Sequence, residues 1–124
     1  MIPYDTTLDP PAPILQITLF NVLNRRWRVT LPALLDSGAD ITAVPLSTLQ
    51  RIKAYPISKI RIEGVDGRAN TIDTYQVQIL IAEHRIARLP VIPVDFEFAV
   101  LARDVLNRFV IHLDGPQLTF TISQ

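Results

Sequence analysis

Apolar and polar residues alternate along most of this chain with a period of two, the spacing of strands that bury one face. Residues 14–23, Ile-Leu-Gln-Ile-Thr-Leu-Phe-Asn-Val-Leu, have strand composition and partial alternation. Asn24-Arg25-Arg26 turns the chain, and Trp27-Arg28-Val29-Thr30-Leu31 runs back as a half-buried strand. Residues 32–35 lead into an acidic loop, and residues 41–44 form a short β-branched strand out of it. One helical turn is predicted over 45–50. Residues 60–63 and 70–73 alternate on either side of Gly64-Val65-Asp66-Gly67-Arg68, and Asp-Gly between two such runs predicts a hairpin. A strand then continues over 74–82, turns at Glu83-His84 and returns over 84–92. Residues 94–98 form a loop before the apolar strand 99–101. The spacing predicts a helix over 104–109, with Asp104 near its start. Two last strands, 110–113 and 118–122, are joined through Asp114-Gly115-Pro116. Many short strands with regular turn signals predict an all-β, barrel-like domain, with one convincing short helix near the C-terminus.

Ahead of this pattern, residues 1–13 carry Pro3, Pro10, Pro11 and Pro13. Proline lacks a backbone donor and resists both helix and central strand. This stretch therefore reads as an extended arm that is ordered only where something pairs with it. Residues 14–124 read as one domain, a natural size for a single core.

Composition narrows the function. At 48% hydrophobic residues the chain can bury a core, so global disorder is excluded. Twelve acids balance twelve bases, which removes the electrostatic case for a nucleic-acid or anionic-membrane partner. The local basic cluster at residues 24–28 reads as an exposed turn. Cysteine is absent, so there is no disulfide scaffold and no thiol chemistry. With no apolar run long enough to span a membrane and no charged-then-apolar leader, the expected location is cytoplasmic. His84 and His112 stand apart from each other and from any ligand cluster, so no metal and no cofactor are expected.

The candidate chemistry lies in Ala33-Leu34-Leu35-Asp36-Ser37-Gly38-Ala39-Asp40. Asp36 follows an apolar run, where a strand must turn sharply. Gly38 offers backbone freedom for the turn, and the Ser37 hydroxyl can bond back into it. A carboxylate placed at the end of a buried strand is costly to leave alone, which makes Asp36 a candidate for catalysis. The tripeptide Asp-Ser-Gly is common, and by itself a plain turn accounts for it.

The wider run, Leu-Leu-Asp-Ser-Gly-Ala-Asp followed by Ile41-Thr42-Ala43-Val44, resembles the active-site loop of the retroviral-type aspartic proteases, the retropepsins. A second stretch, Val100-Leu101-Ala102-Arg103-Asp104-Val105-Leu106-Asn107, resembles that family's apolar strand, Gly-Arg-Asp/Asn turn and short helix, in the family's order and at its approximate spacing. The resemblance runs from about Ile14 to the end. It implies a small closed β-barrel with a flap hairpin and one short C-terminal helix, and an aspartic endopeptidase acting on peptides. Because the chain has one Asp-Ser-Gly, it also implies a homodimer in which each copy gives one Asp36. Asp36, Ser37 and Gly38 take the catalytic positions. Ser37 is implied to bond across the dimer, and Arg103 to brace Asp40. Leu34, Ala39, Asp40, Phe98 and Val100 map to substrate positions, together with Gly64 and Val65 in a mobile flap. In viral members the chain termini interleave into one shared sheet, so residues 118–122 are expected to contribute here. Ala102 departs from the family's Gly and costs stability wherever that Gly serves a positive φ or tight packing. A starting Met and the proline-rich arm point to a free-standing cellular or bacterial member. Two other readings stay open at this stage: a non-enzymatic dimer for peptide binding or assembly, and an unrelated barrel with a fortuitous Asp-Ser-Gly.

Overall fold

The computed structural model describes residues 1–64 and 66–124. In chain order its strands begin with β1 (Ile2–Pro3), β2 (Ile14–Phe20), β3 (Arg28–Leu35) and β4 (Ala43–Pro45), followed by helix α1 (Leu46–Arg51). The next strands are β5 (Pro56–Glu63), β6 (Ala69–Ile81), β7 (His84–Val94) and β8 (Ala99–Leu101). Helix α2 (Arg103–Leu106) precedes β9 (Val110–Asp114) and β10 (Thr119–Ser123). Among the described residues no helix is long and apolar enough to cross a membrane.

Strands β2, β3, β8, β4, β7 and β6 are hydrogen-bonded in that order, and β6 pairs again with β2, so the sheet closes into a barrel. Closure is possible because β6 is 13 residues long. Its first half pairs with β5 and its last residues with β2, Leu80 opposite Thr18 and Gln78 opposite Phe20. The β5–β6 hairpin therefore projects from the ring.

The alternation read from the sequence decides what fills the barrel. Leu15, Ile17 and Leu19 of β2 and Val77, Ile79 and Ile81 of β6 point inward and are buried. Leu49 and Ile52 seal one end from α1. That helix stops where Lys53 takes φ 56°, the left-handed conformation of a helix C-terminus. Buried Asn21 donates its Nδ2 to the carbonyls of Ile52 (2.9 Å) and Lys53 (3.2 Å), satisfying groups a helix end leaves open.

Three local expectations are adjusted. Helix α2 spans Arg103–Leu106 rather than 104–109, because the bonds of Arg108 to Val105 (3.0 Å) and Phe109 to Leu106 (3.1 Å) tighten to three-residue steps. Helix α1, expected as a single turn, is the longer of the two. The β6–β7 turn falls on Ala82 and Glu83, with φ 49° and 66°, one residue earlier than predicted. Both central residues take the positive φ of a type I′ hairpin turn without the usual Gly or Asn, so residue type alone placed the turn one position late.

The proline-rich arm does find partners. Ile2 pairs with Phe120 and Pro3 with Thr119, and Tyr4 N–H donates to the Leu118 carbonyl (2.8 Å). Asp5 and Ala12 bridge each other, and Pro13 accepts from Leu35 N–H (3.1 Å). The pairing is made by the residues between the prolines, and Pro3 sits on an edge strand, where its missing donor costs least. The Thr7 amide and hydroxyl both donate to Asp5 Oδ1, which holds that exposed carboxyl below its usual range. The arm thus completes a second, three-stranded sheet in the order β1-β10-β9.

Candidate active site

The acid loop is held by two neighbouring segments of the barrel. Strand β3 pairs in parallel with β8, Leu34 beside Val100 and Leu35 beside Leu101. The ladder continues one step further, as Asp36 N–H donates to the Leu101 carbonyl (2.9 Å). Asp36 therefore leaves the strand with its backbone fixed and its side chain half-buried. Its Oδ1 accepts from Gly38 N–H (2.9 Å), and its carbonyl from Ala39 N–H (3.3 Å).

Two expectations about this turn are corrected. Gly38 does not take a positive φ; among the glycines only Gly67 (77°) does. What Gly38 supplies is space, since a Cβ there would lie 3.2 Å from Asp36 Oδ1. Ser37 does not brace the turn either: among the described residues its hydroxyl has no hydrogen-bond partner, and the carboxylate of Asp36 plays that part instead. Ser37 is exposed, and its hydroxyl is open to a group outside this chain.

Arg103 clamps the loop from below. Its guanidinium pairs with Asp40 through Nη2 and donates through Nη1 to the Ser37 carbonyl (2.8 Å), while its N–H donates to the Ala39 carbonyl (3.1 Å). The Asp40 side chain is 80% exposed, so the ion pair adds little stability and acts chiefly on geometry.

Beneath this lies a contact that the sequence reading missed. Thr42, 1% exposed, donates its hydroxyl to Asp104 Oδ1 (2.6 Å) and its N–H to Oδ2 (3.0 Å). The same hydroxyl accepts from Ala102 N–H (3.1 Å). A signal was present: Thr42 is the polar residue in the apolar run 41–44, and a buried hydroxyl must have a partner.

Ala102 fits where it stands. Its φ of −93° and ψ of −177° are ordinary extended backbone, and the residue is fully buried. No glycine conformation is required, so Ala102 carries no positive-φ penalty. Ala102→Gly is expected to lower stability by about 1 kcal/mol through a looser unfolded chain and a lost methyl contact, read as a fall of a few degrees in thermal unfolding.

Other candidate residues divide. Leu34 and Val100 lie side by side, and by alternation they share the face of Asp36. Phe98 sits just before β8 and stacks on exposed Phe96, centroids 6.1 Å apart. Gly64 lies at the hairpin tip, its N–H donating to the Arg68 carbonyl (2.8 Å), and Val65 lies outside the described residues. The base of the hairpin reaches the loop: a cavity of about 460 Å³ is lined by Asp40, Ile41, Ser58, Ile60, Thr74 and Asp104, among others. Among the described residues no cluster of three or more His, Cys, Asp or Glu stands ready to hold a metal ion.

No protein-family model matches the chain, nor does any curated protein. Solved structures do. The simian foamy virus (mac) protease superposes with a TM-score of 0.60 at 21% identity, over 77% of this chain and 92% of its own. A retropepsin-like aspartic protease from Rickettsia conorii gives 0.63 at 14% identity, over 92% and 84%. The EIAV protease, solved with the inhibitor HBY-793, gives 0.55 at 25% identity, over 78% and 86%. These likenesses are of fold.

Proposed function

We propose that this chain, whose fold is retropepsin-like, is an aspartic endopeptidase active as a homodimer, with one Asp36 from each copy forming the catalytic pair. The observation that carries this reading is the single Asp36, its backbone fixed by the Leu101 carbonyl and its loop by the Arg103 clamp, with its carboxylate bonded, among the described residues, only to Gly38 N–H of its own turn. One carboxylate cannot supply both an acid and a base. Two carboxyls in contact cannot both ionise, so they hold one proton between them. The ionised member takes a proton from water as the water oxygen attacks the scissile carbonyl carbon. The protonated member gives its proton to the carbonyl oxygen. The resulting diol collapses as the C–N bond breaks: one diol hydroxyl returns its proton to the now ionised carboxyl, and the other carboxyl passes the proton taken from water to the leaving nitrogen.

Substrate binding follows from the surroundings. An extended peptide lies between the β5–β6 hairpin, acting as a flap with Gly64 near its tip, and the floor formed by Leu34, Ala39 and Val100. Those residues and Phe98 favour apolar side chains. The exposed Asp40 keeps Oδ2 open beside the Oδ1 that Arg103 holds, and that oxygen accepts a peptide N–H, while the Ser37 hydroxyl bonds across the two-fold. A chain without cysteine suits the reducing cytoplasm.

The test is a library of extended apolar peptides at mildly acidic pH, assayed over a dilution series of enzyme. Cleavage is expected, blocked by a statine-type inhibitor. Specific activity is expected to fall on dilution as dimers separate. Activity per chain that stays constant down to concentrations where the protein sediments as a monomer would rule out the shared pair.

A further inference from the structure

We infer that the outer face of β2, β6 and β7, with the β2–β3 turn and the end of α1 beside it, docks an extended protein segment in which acidic and apolar side chains alternate. This goes beyond the endopeptidase reading and does not depend on it. Phe20 gives the first clue. Leu15, Ile17 and Leu19 fill the barrel, so alternation turns Phe20 outward, yet it is only 3% exposed. Two guanidiniums cover it: those of Arg25 and Arg85 stand 5.5 and 5.7 Å from its ring centroid. Arg28 on β3 and Gln78 on β6 are direct partners of Phe20 and share its face. Gln78 accepts from Arg85 Nη1 (3.3 Å), and Gln76 accepts from Arg88 Nη1 (3.4 Å). Lys53, just beyond α1, adds a further cation, its Nζ 4.3 Å from the ring centroid of Trp27 in the turn.

None of these cations finds an acid. Among the described residues the ion pairs are Lys59–Asp73, Arg68–Asp66 and Arg103–Asp40, and Glu83, at the adjoining β6–β7 turn, is in none of them. The balance of twelve acids and twelve bases is therefore a total over unlike regions. Like charges held together repel, and a bound anionic chain relieves that repulsion. The apolar groups decide which kind of chain. Leu23 is 71% exposed, and with Tyr55, Ile57, Gln76 and Arg88 it walls a notch of about 60 Å³. Such a notch takes a small aliphatic side chain next to the Arg88 guanidinium and is too small for a nucleobase. The side-chain nitrogens of Gln76 and Gln78 point the same way, since their oxygens take the arginines and their N–H groups remain to donate to peptide carbonyls. Ile57 and Arg88 wall the notch, while the next residues, Ser58 and Leu89, line the cavity beside Asp40, so notch and acid loop open on opposite sides of the sheet.

Trp27, the one tryptophan in the chain, lies on this face and senses what binds there. The Asp36→Asn protein keeps a peptide probe from being cut. Its titration with a soluble peptide alternating Glu and Leu is expected to give a saturable change in Trp27 fluorescence that weakens as salt is added. A peptide alternating Lys and Leu should give none. Arg28→Gln/Arg88→Gln, which leaves the cover of Phe20 in place, should weaken binding about tenfold, and Leu23→Ser about fivefold, with thermal unfolding unchanged. With Asp36 restored, both variants should cleave short apolar peptides as the wild type does. Tighter binding of oligothymidylate, or of vesicles containing phosphatidylserine, than of the Glu–Leu peptide would overturn the inference. So would equal binding of the Lys–Leu peptide, or an affinity that the Arg28/Arg88 variant leaves untouched. Saturable binding that needs Arg28 and Arg88, in a protein whose wild type cleaves nothing, would leave the docking face standing and defeat the enzymatic reading. Cleavage by a wild type that fails to bind the Glu–Leu peptide on this face would do the reverse.

Discussion

Asp36→Asn is expected to lower kcat/KM for peptide cleavage by about 10⁴-fold while leaving fold and dimer in place. Asn has the same shape, and its Oδ1 can still accept the Gly38 N–H that Asp36 Oδ1 accepts at 2.9 Å. What is lost is the proton that two carboxyls share, because an amide can neither take a proton from water nor give one to the scissile carbonyl. The sharper form of the experiment mixes the two chains. If each dimer needs an Asp36 from both copies, an equal mixture allowed to exchange fully holds about one quarter of its dimers in the active form. Activity should then drop to about a quarter of that of the wild-type protein at the same total concentration. Independent subunits would retain about half. Sedimentation of the mixture checks that the variant still pairs, so a loss of dimer cannot pass for a loss of chemistry.

How far the sequence foretold this site depends on the kind of signal each residue left. Barrel strands were legible because one face of each is buried, and burial writes a period of two into the residues, as in Leu15, Ile17 and Leu19. The acid loop was legible because Asp, Ser and Gly at the end of an apolar run constrain the backbone in few ways. The Arg103–Asp40 contact followed only from resemblance, since 63 residues separate the partners and neither type is informative by itself. Where residue identity and backbone disagreed, the reading slipped: a turn at Ala82 and Glu83, or a helix that tightens after Leu106, is set by strand register and packing around it. Gly38 shows a subtler case. The residue was read for conformational freedom, whereas the structure shows a close approach, with a Cβ there lying 3.2 Å from the Asp36 carboxylate.

Thr42→Val is expected to be the most damaging conservative change outside the acid itself. The side chains match in shape but not in chemistry. Val removes the hydroxyl that donates to Asp104 Oδ1 at 2.6 Å and accepts from Ala102 N–H at 3.1 Å. Because Ala102 is fully buried, its N–H is then left with no partner, and a charge-assisted bond is lost as well. Together these should cost about 3 kcal/mol, roughly 10 °C in thermal unfolding for a chain of this size, compared at fixed protein concentration because dimerisation adds to apparent stability. Catalysis should suffer beyond stability. Asp36 to Leu101, Ala39 to Arg103 and Thr42 to Asp104 are three successive ties between the same two segments, and the last anchors the others. A variant assayed well below its unfolding temperature should therefore still show a reduced kcat, as Asp36 is held less firmly. Asp104→Asn keeps one acceptor oxygen but turns an amide NH₂ toward a second donor, so it should show a smaller loss of the same kind. If the network acts as a unit, the double variant Thr42→Val/Asp104→Asn will be less damaged than the two single losses added together, because each removes part of what the other depends on. Full additivity in thermal unfolding would mean that the two residues stabilise the barrel separately, and that Thr42 has no hold on the acid loop through Asp104.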